Sequence, residues 1–115
     1  MFNKDMHISL LLDFYGEVLS ERRRQVTELY YNDDLSLAEI AEITGISRQG
    51  VRDSVKKSES ELLELEEKLG LAKRFEELKA EIAKISSSLS SVKSEDEGIN
   101  RELDSIVERL NGLNF

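Results

Sequence analysis

Apolar residues recur along this chain at helical spacing, and polar punctuation divides them into segments. Ser20 precedes a run with Val26, Leu29 and Tyr30, and a serine there can accept from the exposed backbone N–H groups of a starting helix. Asn32-Asp33-Asp34 ends the run, being a poor helix interior and a good turn. Ser36 and Glu39 form a capping box, and Leu37, Ile40, Ala41 and Ile43 give the short helix behind it an apolar face expected to be buried. Thr44-Gly45-Ile46 reads as a tight turn in which Gly45 takes positive φ. Ser47 then caps a helix with no evident stop before Gly70.

From Val51 onward the spacing becomes heptad-like. Val51, Val55, Leu62, Leu65 and Leu69 keep one 4-3 phase, with Ser58 in the seam. The phase resets after Gly70, where Leu71, Phe75, Leu78, Ile82, Ile85, Leu89 and Val92 alternate steps of four and three. Ser94-Glu95-Asp96-Glu97 reads as a second capping box, followed by Ile99, Leu103, Ile106, Leu110 and Leu113 in the same alternation. Two heptad helices with a short polar connection predict a helical hairpin, although the same seams could instead pair between chains. Ser86-Ser87-Ser88 and Ser90-Ser91 resemble a linker in composition, yet the seam runs through them in phase, so they are read as helix. The expected architecture is all-α: a helix-turn-helix domain over residues 1–69, and a C-terminal hairpin over 70–115 for packing or dimerisation. A homodimer is expected, because the long helix after Ser47 carries a leucine seam with little of its own domain to bury it.

Composition narrows the function. The 115 residues include no proline, no cysteine and one histidine, which removes disulfides, thiolate metal sites and a cysteine nucleophile. No apolar run approaches the roughly 20 residues of a membrane span, and Asp5 and His7 make a poor signal peptide, so a soluble cytoplasmic protein is expected. There is no phosphate-binding glycine loop, no nucleophile with a histidine base and no metal constellation; an enzyme, a cofactor and a small-molecule substrate are not expected. His7 reads as exposed or lightly packed rather than catalytic.

The net charge of −8 argues against indiscriminate binding of a polyanion. The charge is uneven, however. Residues 1–58 hold 8 Lys/Arg against 10 Asp/Glu, and residues 59–115 hold 8 against 14. The acidic run around Glu59, Glu61, Glu64, Glu66 and Glu67 reads first as a solvated helix face, and second as a docking site for a basic partner.

The stretch from Leu37 to Val55 carries the chemistry. Ala41, small enough for two helices to approach, stands four residues before Gly45, and Val51 stands six after it. That is helix-turn-helix spacing. On the second helix Arg48, Arg52 and Lys56 fall at i, i+4 and i+8, with Gln49 beside them. Arg48 and Arg52 could reach guanine edges or phosphates, Gln49 could read adenine, and Lys56 with Lys57 could hold backbone phosphate. Arg22, Arg23 and Arg24 could grip an adjacent phosphate row, or simply balance Glu17, Glu21 and Glu28.

Leu35–Ala41 followed by Gly45–Arg52 resembles region 4 of bacterial sigma factors. Leu11–Gly16, Glu28–Leu37 and Ser47–Lys56, continued by the acidic Glu61–Leu71 segment, resemble more closely the YlxM family of small helix-turn-helix proteins, over roughly residues 8–75. This resemblance implies a regulator or accessory factor linked to the signal recognition particle pathway, with DNA, or the particle's RNA or protein, as partner. The alternative it leaves is an accessory factor that docks on the particle without reading DNA sequence. Two departures stand out. Ser54 occupies a position where sigma-type motifs place an apolar residue, with Val55 one step later, which puts the seating of the helix in question. Gly50, in the first turn, costs about 1 kcal/mol against alanine and reads as tolerated rather than as room for DNA.

Overall fold

A computed structural model describes residues 4–113. These residues form α1 (His7–Tyr15), a short 3₁₀ turn (Gly16–Val18), α2 (Glu21–Tyr31), α3 (Leu37–Thr44), α4 (Arg48–Leu69), α5 (Leu71–Ser91) and α6 (Glu97–Asn111). Among them there is no strand, and the protein is all-α. They fall into two compact units that divide between Ala72 and Lys73.

The first unit is built around α4, against which α1, α2 and α3 all pack. Its core takes Ile8, Leu11, Leu12 and Tyr15 from α1, Val26, Tyr30 and Tyr31 from α2, Ile40 from α3, and Val51, Val55 and Leu62 from α4. Helix α1, which the capping signals did not mark, is capped by Asp5, whose carboxylate accepts the His7 N–H at 3.0 Å. It is helical because its apolar residues, spaced three and four apart, form one face that the rest of the unit covers.

Two expectations change here. Most of the α4 seam is covered within its own unit: Val51, Val55, Ser58 and Leu62 are fully buried and Leu65 partly so, which leaves Leu69 alone of the seam exposed. Ile43, expected on the buried face of α3, is exposed, while Ile40 is fully buried and Leu37 and Ala41 pack partly against the core. An eight-residue helix has a narrow inner stripe, and Ile43 lies beyond its edge.

In the second unit α5 and α6 run antiparallel. The Ser86 hydroxyl donates to Asn111 Oδ1 at 2.7 Å, bringing the end of α6 back to the middle of α5. The connection is closed by the Asn100 amide, which donates to the Ser94 carbonyl and accepts the Ser94 N–H, both at 2.8 Å. The capping box expected at Ser94 is displaced. Asp96 caps α6, accepting from the Gly98 N–H at 2.8 Å, and Ser94 instead accepts the Asp96 N–H at 3.1 Å.

Candidate nucleic-acid interface

The site begins with local capping chemistry. The Ser36 side chain accepts from the Glu39 N–H, and the Glu39 carboxylate accepts from the Ser36 N–H, each at 3.1 Å, which fixes the start of α3. Gly45 stops the helix at φ 78°, its N–H bonded to the Ala41 carbonyl at 2.9 Å. A side chain would strain that left-handed turn. Ser47 then caps α4, accepting from the Gly50 N–H at 2.9 Å. A Cβ on residue 50 would stand 3.1 Å from the Ser47 hydroxyl, a close contact at the position that Glu39 fills behind Ser36.

The seating of α4 is also resolved. Val51 and Val55 are both fully buried, while Ser54 is half-buried with its hydroxyl turned inward. The valine one step on supplies the apolar contact that Ser54 does not.

With those valines inward, Arg48, Gln49, Arg52, Asp53, Lys56 and Lys57 are exposed. Arg48, Gln49 and Arg52 line one shallow groove of about 360 Å³ together with Leu37 from the first turn of α3. Lys56 continues their stripe one turn further along. The Gln49 amide nitrogen donates to Asp53 Oδ1 at 2.9 Å. A carboxylate only accepts, so this contact sets the orientation of the amide and turns its oxygen the other way. Sequence reasoning passed over Leu37 as a groove residue and Asp53 as the partner of Gln49, though the Gln49–Asp53 spacing of i, i+4 on an exposed helix face was a usable signal.

The three consecutive arginines part ways. Arg22 is exposed and donates to the Thr44 carbonyl at 3.1 Å, at the C-terminal end of α3, beside the turn into α4. Arg24 pairs with Glu28 one turn along its own helix at 2.8 Å. Arg23, expected on a phosphate row, is instead engaged inside the fold. Its side chain is 18% exposed, it pairs with Glu61 of α4, and its second terminal nitrogen is buried.

That ion pair is one of three clasps that use the acidic stretch of α4. Tyr31 donates to Glu59, and Tyr15 donates to Glu66 Oε1 at 2.6 Å. Glu59, Glu61 and Glu66 are thus committed to α1 and α2, and the outward acidic face is reduced to Glu64 and Glu67, of which Glu64 pairs with Lys68. The first turns of α4 therefore present cations on a locally basic face, whatever the charge of the whole chain. Among the described residues, no three His, Cys, Asp or Glu side chains gather to hold a metal ion, and no helix is long and apolar enough to cross a membrane.

Comparison with known proteins gives the same architecture a family. Residues 2–102 match the model of the family UPF0122, described as "Putative helix-turn-helix protein, YlxM / p13 like". A UPF0122 protein from Thermoanaerobacter sp. strain X514 is 40% identical over 112 residues, covering 96% of each chain. A UPF0122 protein from Bacillus cereus strain AH187 is 41% identical over 113 residues, covering 98% of this chain and 99% of its own.

Proposed function

The chain belongs to the UPF0122 family of YlxM- and p13-like helix-turn-helix proteins, and on that premise we propose that it is a non-enzymatic, nucleic-acid-binding regulator acting in the cytoplasm as a homodimer. The observation that carries this reading is the groove in which Leu37, Arg48, Gln49 and Arg52 meet, on the exposed first turns of a helix held at a fixed angle by the Gly45 turn. Arg48 and Arg52 have the reach and fork geometry for guanine O6 and N7 or for phosphate. Gln49, its oxygen turned away from Asp53, offers an acceptor and one remaining N–H, which suits adenine. Lys56, Lys57 and Arg22 hold backbone phosphate on either side. Arg23 is left out of the contact set because Glu61 holds it.

A net of −8 lowers affinity through the average field, and the contacts of Arg and Lys with phosphate make binding salt-dependent. The link to the signal recognition particle pathway follows from the likeness of the sequence to the YlxM family, and the particle's RNA and protein are therefore included among the partners.

A gel-shift series on genomic DNA fragments and on the particle's RNA, run at two salt concentrations, tests the proposal. The expected result is sequence-selective, salt-sensitive retention that Arg48→Ala with Arg52→Ala abolishes. Unchanged retention by that double variant overturns the assignment of the recognition helix. Capture of the particle's protein by the same variant, with no nucleic acid retained by either form, selects the docking reading instead.

A further inference from the structure

The heptad seam of the second unit is divided lengthwise. Along α5, Phe75, Ile82 and Leu89 are half-buried, and along α6 so are Leu103 and Leu110. Leu78, Ile85, Val92, Ile99, Ile106 and Leu113, which alternate with them, remain between 40% and 53% exposed. Leu78 and Ile85 on α5, and Ile99 and Ile106 on α6, stand one heptad apart, and Val92 and Leu113 continue the spacing just past the helix ends.

Helical spacing puts Leu78 and Ile85 of α5 and Ile99 and Ile106 of α6 on one side of the hairpin. On α5 the residues turned towards α6 are Ile82, Ala83 and Ser86, and the exposed stripe precedes them by about a quarter turn. On α6 the residues turned towards α5 are Leu110 and Asn111, with Leu113 past the helix end lining the same cleft, and Ile99 and Ile106 are displaced in the same sense. In an antiparallel pair, displacement in the same sense on both helices brings the two stripes to the same face.

We propose that this face is the interface with a second copy of the chain, the two hairpins closing into a four-helix bundle. The assignment rests on the homodimer of the proposed function and gives it a surface; it does not depend on what the recognition helix contacts. Six large side chains about half exposed amount to on the order of 500 Å² of apolar surface per copy before the rim is counted. That is near the upper end for the largest patch on a monomer, and it is the central part of the roughly 800 Å² that a standard interface takes from each partner. A seven-residue repeat is matched by another helix of the same repeat, and each copy supplies two.

The rims favour a like partner over a basic one. Arg74 and Glu81 stand one heptad apart on the outer edge of α5, and Glu102 and Arg109 one heptad apart on that of α6. All four are exposed. Each rim carries both signs, so an antiparallel copy of either helix sets opposite charges across the seam. The two rims together are neutral, although residues 59–115 as a whole carry a net of −6.

Sedimentation equilibrium of the full chain at about 100 μM tests this. The expected mass is twice 13.1 kDa, falling to 13.1 kDa in Ile85→Glu with Ile106→Glu while far-ultraviolet circular dichroism keeps its helical signal. The milder Ile85→Ala, a truncation at an exposed position that does not threaten the fold, is expected to raise the dimer dissociation constant at least ~10-fold. A monomeric wild-type chain overturns both the homodimer and the interface. A dimer indifferent to all three substitutions places the contact elsewhere and overturns this surface alone. Arg48→Ala with Arg52→Ala leaves the dimer intact, so a failure of nucleic-acid binding and a failure of this interface are read separately.

Discussion

The Tyr15 hydroxyl donates to Glu66 Oε1 at 2.6 Å, across 51 positions of sequence, and accepts the Leu71 N–H at 3.0 Å. The same Glu66 oxygen accepts the Ala72 N–H at 3.1 Å. The first turn of a helix leaves its N–H groups without intrahelical partners, and Gly70, which precedes α5, has no side chain to supply one. Leu71 and Ala72, which close the first unit, are therefore capped from within that unit. Tyr15→Phe is expected to lower stability by about 1–3 kcal/mol, because it leaves the Leu71 N–H and a carboxylate oxygen without this partner. Urea unfolding checks this, and a midpoint equal to wild type would remove the hydroxyl from any structural role.

Neighbouring arginines on α2 are expected to behave oppositely. Arg23→Ala should destabilise the fold by about 2–3 kcal/mol, since it strips Glu61 of its partner and removes packed methylenes, and it should leave the salt dependence of nucleic-acid binding unchanged. Arg22→Ala should leave the melting temperature within a degree or so and reduce the salt slope by about 1. Thermal melts paired with binding isotherms at several salt concentrations separate the two.

Asp53 places a carboxylate within the cationic face and orients Gln49. Asp53→Asn keeps a hydrogen-bond acceptor for the amide and removes one negative charge from a surface proposed to meet phosphate. Affinity for any sequence is expected to rise by ~5-fold, of the order of 1 kcal/mol, while discrimination at the base read by Gln49 falls. Fluorescence anisotropy with matched and mismatched duplexes measures both.

All three tyrosines hold their protons above the ordinary phenol value. Burial is the first cause for each, joined by the hydrogen bond to Glu66 at Tyr15, the charge of Glu59 at Tyr30 and the hydrogen bond to Glu59 at Tyr31. A phenol whose pKa is raised on folding contributes stability that is fully present below its unfolded value of about 10 and is lost as pH rises through the folded value. An alkaline titration should therefore show tyrosinate absorbance only together with loss of helical signal. Full tyrosinate at pH ~10 with the fold intact would contradict the packing described for α1, α2 and α4.

Ser58 sits in the α4 seam, fully buried, with a hydroxyl that has no hydrogen-bond partner among the described residues. Burying such a group costs free energy that a methyl group does not incur. Ser58→Ala is expected to stabilise the first unit by about 1 kcal/mol, read as a higher urea midpoint at unchanged slope.

Most of the helix boundaries were written in short-range chemistry, and the sequence alone determined them. A capping serine, a capping box or a glycine obliged to turn left-handed acts over four or five residues, so Ser20, Ser36, Gly45, Ser47 and Gly70 announced α2, α3 and α4 without knowledge of the rest of the chain. The exposed Arg48, Gln49 and Arg52 were legible for the same reason, since helical spacing fixes which residues share a face. Helix α1 was harder to see: its cap, Asp5, was passed over in the sequence, and its apolar face is buried only because the rest of the unit covers it. What the side chains meet was decided by tertiary structure. Arg22, Arg23 and Arg24 are consecutive and alike in sequence, yet one reaches a backbone carbonyl, one an inward carboxylate and one its own helix. The acidic run of α4 looked like a solvated face until α1 and α2 took up three of its carboxylates. The heptads of the hairpin likewise fixed two apolar stripes but not which half of them would be covered. A repeat of seven records that a residue faces a neighbour, and only the fold says whether that neighbour lies in the same chain.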